Sequence, residues 1–363
     1  MAKKSRIRIV GKKTVIFLNV LISILLLCPL YFAPIKFIWV NGFLGLITPY
    51  LLILEILLLI FWLIVKPWLS LPSLITLVVG WKLIMVLVGW HPGIAFSQKK
   101  KDNTLRVISW NVRGFNGLQP NSTIKLRTQD IAYSIQKWSP DIICMQEYNT
   151  NERNGDIANH AQYFEEKYPY SFFSKDHQTI QAAYYSGCII YSKYKIIQAE
   201  RIPFTNQESL IGATILKGDD TIRIYTTHLA SYRLKQNDFE AIDDATKNKW
   251  SVARKMKNAF TERAVQAQVV QQQINASPYP TILTGDFNDV PNSYTYRHIA
   301  TGWQDAFLEK GFGIGATYLG LSPTLRIDYI LANSAWQVKA WDQVDENLSD
   351  HHMIMADLLL KKQ

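Results

Sequence analysis

Apolar residues are distributed along this chain in two regimes. Up to residue 90 they form long, almost unbroken runs, Thr14–Ala33, Phe43–Val65 and Leu69–Trp90. At about 1.5 Å per helical residue, each run can cross a hydrocarbon layer of about 30 Å. Trp39, Trp62, Trp68, Trp81 and Trp90 stand mostly near the ends of these runs, where amphipathic rings favour the membrane interface. After residue 103 the apolar runs shorten and are separated by turn residues: LRVISW, DIICMQE, GCIIYS, ATILKG, IRIYTTHL, TILTGDF, RIDYILA and MIMADLLL. β-branched residues dominate most of them, so strands are expected. Apolar residues at helical spacing over Ile124–Trp138, ending before Pro140, and over Glu262–Ile274 predict intervening helices. Strands alternating with helices argue for a layered α/β domain.

The pattern divides the chain into a three-helix membrane anchor (residues 1–94), a short polar linker (95–103, within GIAFSQKKKDN) and an α/β domain (104–363). A cleavable signal peptide fits this pattern poorly, because two further apolar runs follow and no small-residue cleavage site stands out. Within the domain, Tyr232–Phe260 is strongly polar and separates two strand runs by a long connection. A solvated helical insertion is the expectation there, with a lid or a basic membrane-surface segment as the sharper alternative.

Charge supports this division. The formal net charge is +10, yet 12 of the 39 Lys+Arg and only 2 of the 29 Asp+Glu lie in residues 1–102, leaving 27 of each in the remainder. The α/β part is therefore neutral, and the basic character flanks the anchor rather than marking a nucleic-acid surface. Six basic residues in the tail MAKKSRIRIVGKK, plus Lys66, outnumber Lys36 and Lys99–Lys101 on the other side. The positive-inside rule then places the N-terminus in the cytoplasm and residues 103–363 outside it, with a bacterial inner membrane as the expected setting. Glu55 and Lys82 fall near the middle of their runs, where a lone charge is costly, and are expected to pair. Cys28 lies in the first run; Cys144 and Cys188 lie in strand-like runs, where free buried thiols or a disulfide are both open.

The chemistry-bearing residues gather at the ends of the predicted strands. SWNVR presents Asn111, CMQE presents Glu147, and TTHL presents His228. TGDFND presents Asp286, Asn288 and Asp289, RIDYI holds Asp328, and LSDHHM holds Asp350, His351 and His352. Each alone has an ordinary reading as a turn former, a solvated acid or a surface histidine. Together they make an oxygen-rich set without thiolate, suited to Mg²⁺ (or Mn²⁺) and to metal-assisted attack on a phosphate ester.

The segments SWNVRGF, MQE, SGCIIYSK, TTHL, GDFND, RIDYIL and SDHH, in this order over about residues 104–360, resemble the endonuclease/exonuclease/phosphatase superfamily. That superfamily includes deoxyribonuclease I, abasic-site endonucleases, sphingomyelinases and inositol-polyphosphate phosphatases. The resemblance implies a four-layered α/β-sandwich of two packed sheets, preceded here by three transmembrane helices. It implies Glu147 as principal metal ligand, with Asn111 and Asp350 contributing directly or through water. It implies Asp286 as the residue that activates the attacking water, Asn288 as a contact to the scissile phosphate, and His351 as phosphate ligand or base oriented by Asp328. His228 resembles the family histidine that faces the phosphate; abasic-site endonucleases tend to have Tyr there. Met353 departs from the family, many of whose members carry Pro at that place. His352 is expected to be structural.

The expected function is thus a membrane-anchored, Mg²⁺-dependent phosphoesterase. A phosphorylated lipid or head group is the favoured substrate, with the bilayer as the partner of the anchor. A tethered endonuclease or exonuclease is the alternative, and a non-catalytic scaffold on the same fold is a second one. Protein partners are not legible in the sequence.

Overall fold

The computed structural model describes residues 2–32, 39–92, 96–101, 103–115, 124–151, 159–179, 183–204, 208–234, 238, 249–320 and 322–361. Its helices are α1 (Ala2–Phe32), α2 (Val40–Val65), α3 (Leu71–Val79), α4 (Trp81–Leu87), α5 (Ile124–Gln136), α6 (Lys249–Ala276), α7 (Tyr294–Ala300) and α8 (Ala306–Lys310). Its strands are β1 (Gly89–Trp90), β2 (Thr104–Asn111), β3 (Ile142–Asn151), β4 (Tyr170–Phe173), β5 (His177–Thr179), β6 (Tyr184–Ser192), β7 (Lys195–Pro203), β8 (Ser209–Lys217), β9 (Asp220–His228), β10 (Thr281–Asp286), β11 (Gln304–Asp305), β12 (Phe312–Gly313), β13 (Asp328–Ala332), β14 (Trp336–Val344) and β15 (Met353–Leu360).

Two mixed sheets form the domain. One runs β11-β13-β10-β9-β8-β7 and the other β14-β15-β2-β3-β6-β4, with β5 also paired to β6. All eight strand runs read from the sequence are strands. Among those not anticipated, β7 and β14 lie at the ends of their sheets, where a strand has one partner and a weaker apolar pattern suffices. The sheets face each other across a core that joins Val107, Ile142 and Ile190 to Ile211, Ile224, Ile282 and Ile330. The outer face of the β2–β3 sheet packs Ile108, Trp110, Ile143 and Met145 on Ile131 and Ile135 of α5. The outer face of the β9–β10 sheet packs Tyr225, Leu283 and Leu331 on Ala267, Val270 and Ile274 of α6 and Ile299 of α7. Helices therefore cover both outer faces. Cys144 and Cys188 are free and buried.

The N-terminal region contains two helices long and apolar enough to span a membrane, Lys13–Phe32 within α1 and all of α2. The third expected span is not one helix. After a 3₁₀ turn at Pro67–Ser70, α3 and α4 meet at Gly80 with a bend of 57°, so the region holds three spans only if that broken pair counts as one. Nor do Glu55 and Lys82 pair. Glu55 is buried and accepts a hydrogen bond from Ser23 Oγ of α1 at 2.8 Å. Lys82 instead borders a cavity of about 530 Å³ between α4 and the catalytic domain, shared with Arg297, Asp305 and Glu309.

Anchor and domain are in contact. The ends of α2 and α4 nearest the domain touch it directly. Asn41 Nδ2 donates to Asn292 O at 3.4 Å, and the Phe43 ring meets Phe260 of α6 edge-on at 5.2 Å. A Cβ added at Gly42 would stand 2.4 Å from the Phe260 ring, so only glycine lets α2 come this close. Arg326 donates to Val86 O of α4 at 2.8 Å, and β1 pairs with β12. The described part of the expected linker is a strap held against the domain rather than an extended tether. Buried Arg106 donates to Ser97 O and Gln98 O at 2.8 Å each, and its guanidinium lies over the Phe96 ring. The middle of the 232–260 insertion lies outside the described residues; residues 249–260 are the first turns of α6.

Candidate active site

Strand register brings the polar ends to one edge. β9 and β10 run parallel with His228 opposite Asp286, and β13 runs antiparallel to β10 with Asp328 opposite Asp286. In the other sheet β2 and β3 run parallel with Asn111 opposite Gln146, and β15 lies antiparallel to β2 just after Asp350 and His351. The two edges face each other: Asn111 Nδ2 lies 3.1 Å from Glu147 Oε1 and 3.1 Å from Asp286 Oδ2.

Glu147 does not end its strand. β3 continues to Asn151, and the register shifts between Met145 and Tyr148, a bulge in which Glu147 takes φ 52°. A left-handed backbone is costly for a residue with a Cβ and turns its side chain out of the pleat. Asn288 (φ 51°) lies in the same region. Before it, Gly285 has φ 146°, and a Cβ there would lie 2.1 Å from Thr227 O. Glycine at that position allows β10 to lie against β9 so that Asp286 and His228 emerge side by side.

Glu147, His228, Asp286, Asn288, Asp350 and His351 line a cavity of about 490 Å³. Asn111 and Asp328 stand behind it. Asp286 is nearly fully buried; its Oδ1 accepts the Asn288 N–H at 2.7 Å, and its Oδ2 lies 3.6 Å from His228 Nε2 and 3.7 Å from His351 Nε2. Asn288 Nδ2 donates to Leu229 O at 2.9 Å, which fixes its amide. His351 Nδ1 and Asp328 Oδ2 are 2.9 Å apart, and the Tyr318 ring leans on the imidazole. Burial works against charge on His351, but the Asp328 and Asp286 carboxylates outweigh it and lift the imidazole to about 10. The same two carboxylates thus favour the protonated ring.

The donor set fits a hard divalent cation. It is built from carboxylates and an amide without thiolate. The Glu147 side chain is 42% exposed, and among the described residues only the Asn111 amide donates to it. Among the described residues the buried Asp328 Oδ1 has no hydrogen-bond donor. Asn111 Oδ1 accepts the Arg113 N–H at 3.0 Å, which orients its amide so that Nδ2 braces Glu147 against Asp286. Asp286, Asp328 and His351 also bring ligand atoms within 4.8 Å of one another.

Three features escaped the sequence reading. Asp289, adjacent to the candidate residues Asp286 and Asn288 in GDFND, is structural: it is buried, with Arg263 Nε at 3.2 Å and Thr295 Oγ1 at 2.7 Å. Arg113 lies 3.4 Å from Asp350 and sets that carboxylate at the rim. Leu46, Ile47 and Tyr50 of α2 line the cavity with the catalytic groups. No local signal foretold these contacts, because each depends on residues distant in sequence. His352 lies outside the cavity lining, 3.7 Å from Asp345.

Comparison with known proteins agrees with this arrangement. Residues 108–351 match the Endonuclease/Exonuclease/phosphatase family, and residues 12–87 match a "Domain of unknown function (DUF8431)". A search of curated proteins finds no match. Among solved structures, an endonuclease/exonuclease/phosphatase from Beutenbergia cavernae is similar with a TM-score of 0.54 at 22% identity, covering 71% of this chain and 72% of that one. The human Nocturnin catalytic domain with bound sulfate is similar at 0.53 and 19%, covering 72% and 97%. Zebrafish (D. rerio) TDP2 complexed with single-strand DNA product is similar at 0.52 and 19%, covering 71% and 99%. With the matching segment spanning most of the chain and the motifs meeting at one edge, the protein belongs to the endonuclease/exonuclease/phosphatase family and is a metal-dependent phosphoric ester hydrolase.

Proposed function

We propose that the protein is a membrane-anchored phosphoesterase that uses Mg²⁺ (or Mn²⁺) to hydrolyse a phosphorylated lipid or lipid head group by attack of water. The observation that carries this reading is the cluster Glu147, Asp286, Asp328 and Asp350 at one cavity, faced by histidines and amides, with Arg233 in the lining and Arg113, 44% exposed, beside Asp350. Such a concentration of carboxylates, with no lysine or arginine buried among them in the described residues, suits a divalent ion and, through it, a phosphate. Glu147, with Asp350 and Asn111, would hold the ion, which when bound neutralises phosphate charge and favours loss of the leaving oxygen. Asp286 accepts the proton of the attacking water. Its carboxylate is held for this by Asn111 and the Asn288 N–H. The imidazolium of His351, oriented by Asp328, donates to a phosphoryl oxygen, and His228 faces the same space.

Anchoring and topology support the lipid substrate. α1 and α2 have the length and apolarity of spans, and the catalytic domain sits against the start of α2 and the end of α4. The basic tail begins at the far end of α1, so a cytoplasmic N-terminus puts the domain outside the cytoplasm. A nuclease is the second reading, favoured by the fold likeness to a TDP2 structure that holds a single-strand DNA product. The test is a screen of the purified full-length protein with Mg²⁺ against phospholipids, sphingomyelin, inositol phosphates and plasmid DNA. Phosphate or head-group release from lipid is expected; plasmid nicking without lipid hydrolysis selects the nuclease.

A further inference from the structure

The catalytic cavity is walled in part by the anchor. Leu46 packs with Val290, Leu325 and Ile327 of the domain, and Ile47 and Tyr50 face the cavity rim. The helix is seated firmly there: a Cβ at Gly45 would stand 3.2 Å from Val290, and Tyr50 Oη lies 2.6 Å from Ser322 Oγ. Beyond Tyr50 the same helix has an exposed apolar stripe. Ile47, Tyr50, Leu54, Leu57, Phe61 and Ile64 are all exposed and recur at alternating spacings of three and four, the period of a helical face; they form the cavity-side edge of a wider exposed apolar surface that also includes Ile53, Ile56, Ile60 and Leu63. The stripe covers about 26 Å along the axis at about 1.5 Å per residue, close to the depth of one hydrocarbon layer. It begins at the rim of the phosphate-binding cavity and ends at the far end of α2, with no polar residue on that face other than the Tyr50 hydroxyl. A span-length helix whose apolar face opens into the active site offers one continuous surface to a molecule that is apolar at one end and phosphorylated at the other.

We propose that α2 is the chain-recognising part of the active site. The phosphate of a long-chain phosphoester sits among Glu147, His228, Asp286 and His351, while its apolar chain lies over Ile47 and Tyr50 and continues down the stripe into the bilayer. This rests on the phosphoesterase reading and adds the substrate class: a phosphoester carrying an extended hydrocarbon chain, taken from the membrane without leaving it. Ile47 is a specificity residue in this arrangement and takes no part in the chemistry.

The experiment uses full-length protein in detergent micelles with Mg²⁺ and two diesters with one leaving group, hexadecyl 4-nitrophenyl phosphate and methyl 4-nitrophenyl phosphate. Wild-type kcat/KM is expected to be at least about tenfold higher for the hexadecyl ester, and Ile47→Asn should remove most of that preference through KM while leaving the methyl ester within about twofold. Ile47→Ala, which adds no polar group, should move the ratio the same way by less. Absence of a chain preference in the wild type, an equal loss on both esters, or plasmid nicking insensitive to Ile47→Asn overturns the proposal. A hexadecyl phosphate probe carrying a diazirine in its chain gives a readout independent of turnover. Crosslinks should concentrate on the peptide containing Ile47 and Tyr50, and labelling spread evenly around α1, α2 and α3 overturns the proposal. If the wild type hydrolyses neither ester, the phosphoesterase reading fails, and the labelling pattern alone decides whether α2 binds the chain.

Discussion

Asp286 and Asp289 lie three residues apart in one loop, are equally buried, and belong to different regions of the molecule. Asp289 joins a set of buried carboxylates closed by arginine: Arg263 holds Asp289, Arg326 holds Asp305, and Arg106 holds Asp357. Each of these arginines also donates to a backbone carbonyl, at Ala230, Val86 and Ser97–Gln98 respectively. Arg326 and Arg106 thereby fasten the anchor and its strap to the domain. Among the described residues, Asp286 and its neighbours have amides, histidines, the Ser349 hydroxyl and the exposed Arg113 for partners. An arginine keeps its charge at any ordinary pH and fills the carboxylate fork, so a pair closed in this way has no chemistry left to perform. A carboxylate held by an amide and facing an imidazole keeps lone pairs for water, proton or metal.

The largest effect that should separate the two regions is on turnover. Asp286→Asn should lower kcat by on the order of 10³-fold, about 4 kcal/mol of transition-state stabilisation, with the melting temperature unchanged or raised because a buried charge is removed. Near-native kcat at saturating Mg²⁺ would erase the distinction drawn for Asp286. Asp289→Asn should do the reverse. Leaving Arg263 buried without its counter-charge should cost about 3 kcal/mol in denaturant unfolding of the domain, while the folded fraction retains its kcat.

A smaller effect tests the same contrast with histidine. His160 is buried, stacked on Phe115 and 2.8 Å from Thr128 Oγ1; burial lowers its pKa to about 4. Its folded value lies below the unfolded one of about 6.5, so its contribution is complete above about pH 6.5 and is lost as pH falls towards 4. Roughly 2 kcal/mol of stability should disappear across that window in pH-dependent unfolding, and His160→Phe should flatten that part of the profile. His351 is shifted upward, so its contribution is present below about pH 6.5 and is lost as pH rises towards 10. The smallest effect concerns the ion. Mg²⁺ at ten times its dissociation constant should stabilise the protein by about 1.4 kcal/mol in thermal unfolding, with chelator reversing the gain. Glu147→Gln should abolish most of this response, and an undiminished response would move the ion towards Asp286, Asp328 and His351.

How much of this could be read from the sequence followed from how local each signal was. The eight strand runs, six of them with polar ends, were legible because alternation and turn chemistry act over a few residues, and the shared edge of those ends was implied by the family resemblance. The separate fates of Asp286 and Asp289 were not, since Arg263 approaches from a helix 26 residues upstream. The break at Gly80 was hidden because one glycine in an apolar run is compatible with a continuous helix. Glu55 found Ser23 rather than Lys82 because the bend at Gly80 divides the expected third span and Lys82 borders the domain instead. The contribution of α2 to the cavity depends on Leu46 meeting Leu325 and Ile327, which no window of sequence contains.

The Arg106–Asp357 pair carries a consequence for the order in which the chain becomes a protein. Its partners are separated by 251 residues, and β2, which carries Arg106, lies between β3 and β15. At about 5 to 20 residues per second, a ribosome needs roughly 13 to 50 s to proceed from one partner to the other. During that interval the anchor helices have already been made, the guanidinium lacks its carboxylate, and one edge of β2 has no neighbour. On the proposed membrane-anchored reading, early insertion of α1 and α2 would hold the unfinished sheet beside the bilayer and away from other nascent chains until the last strand arrives to close it.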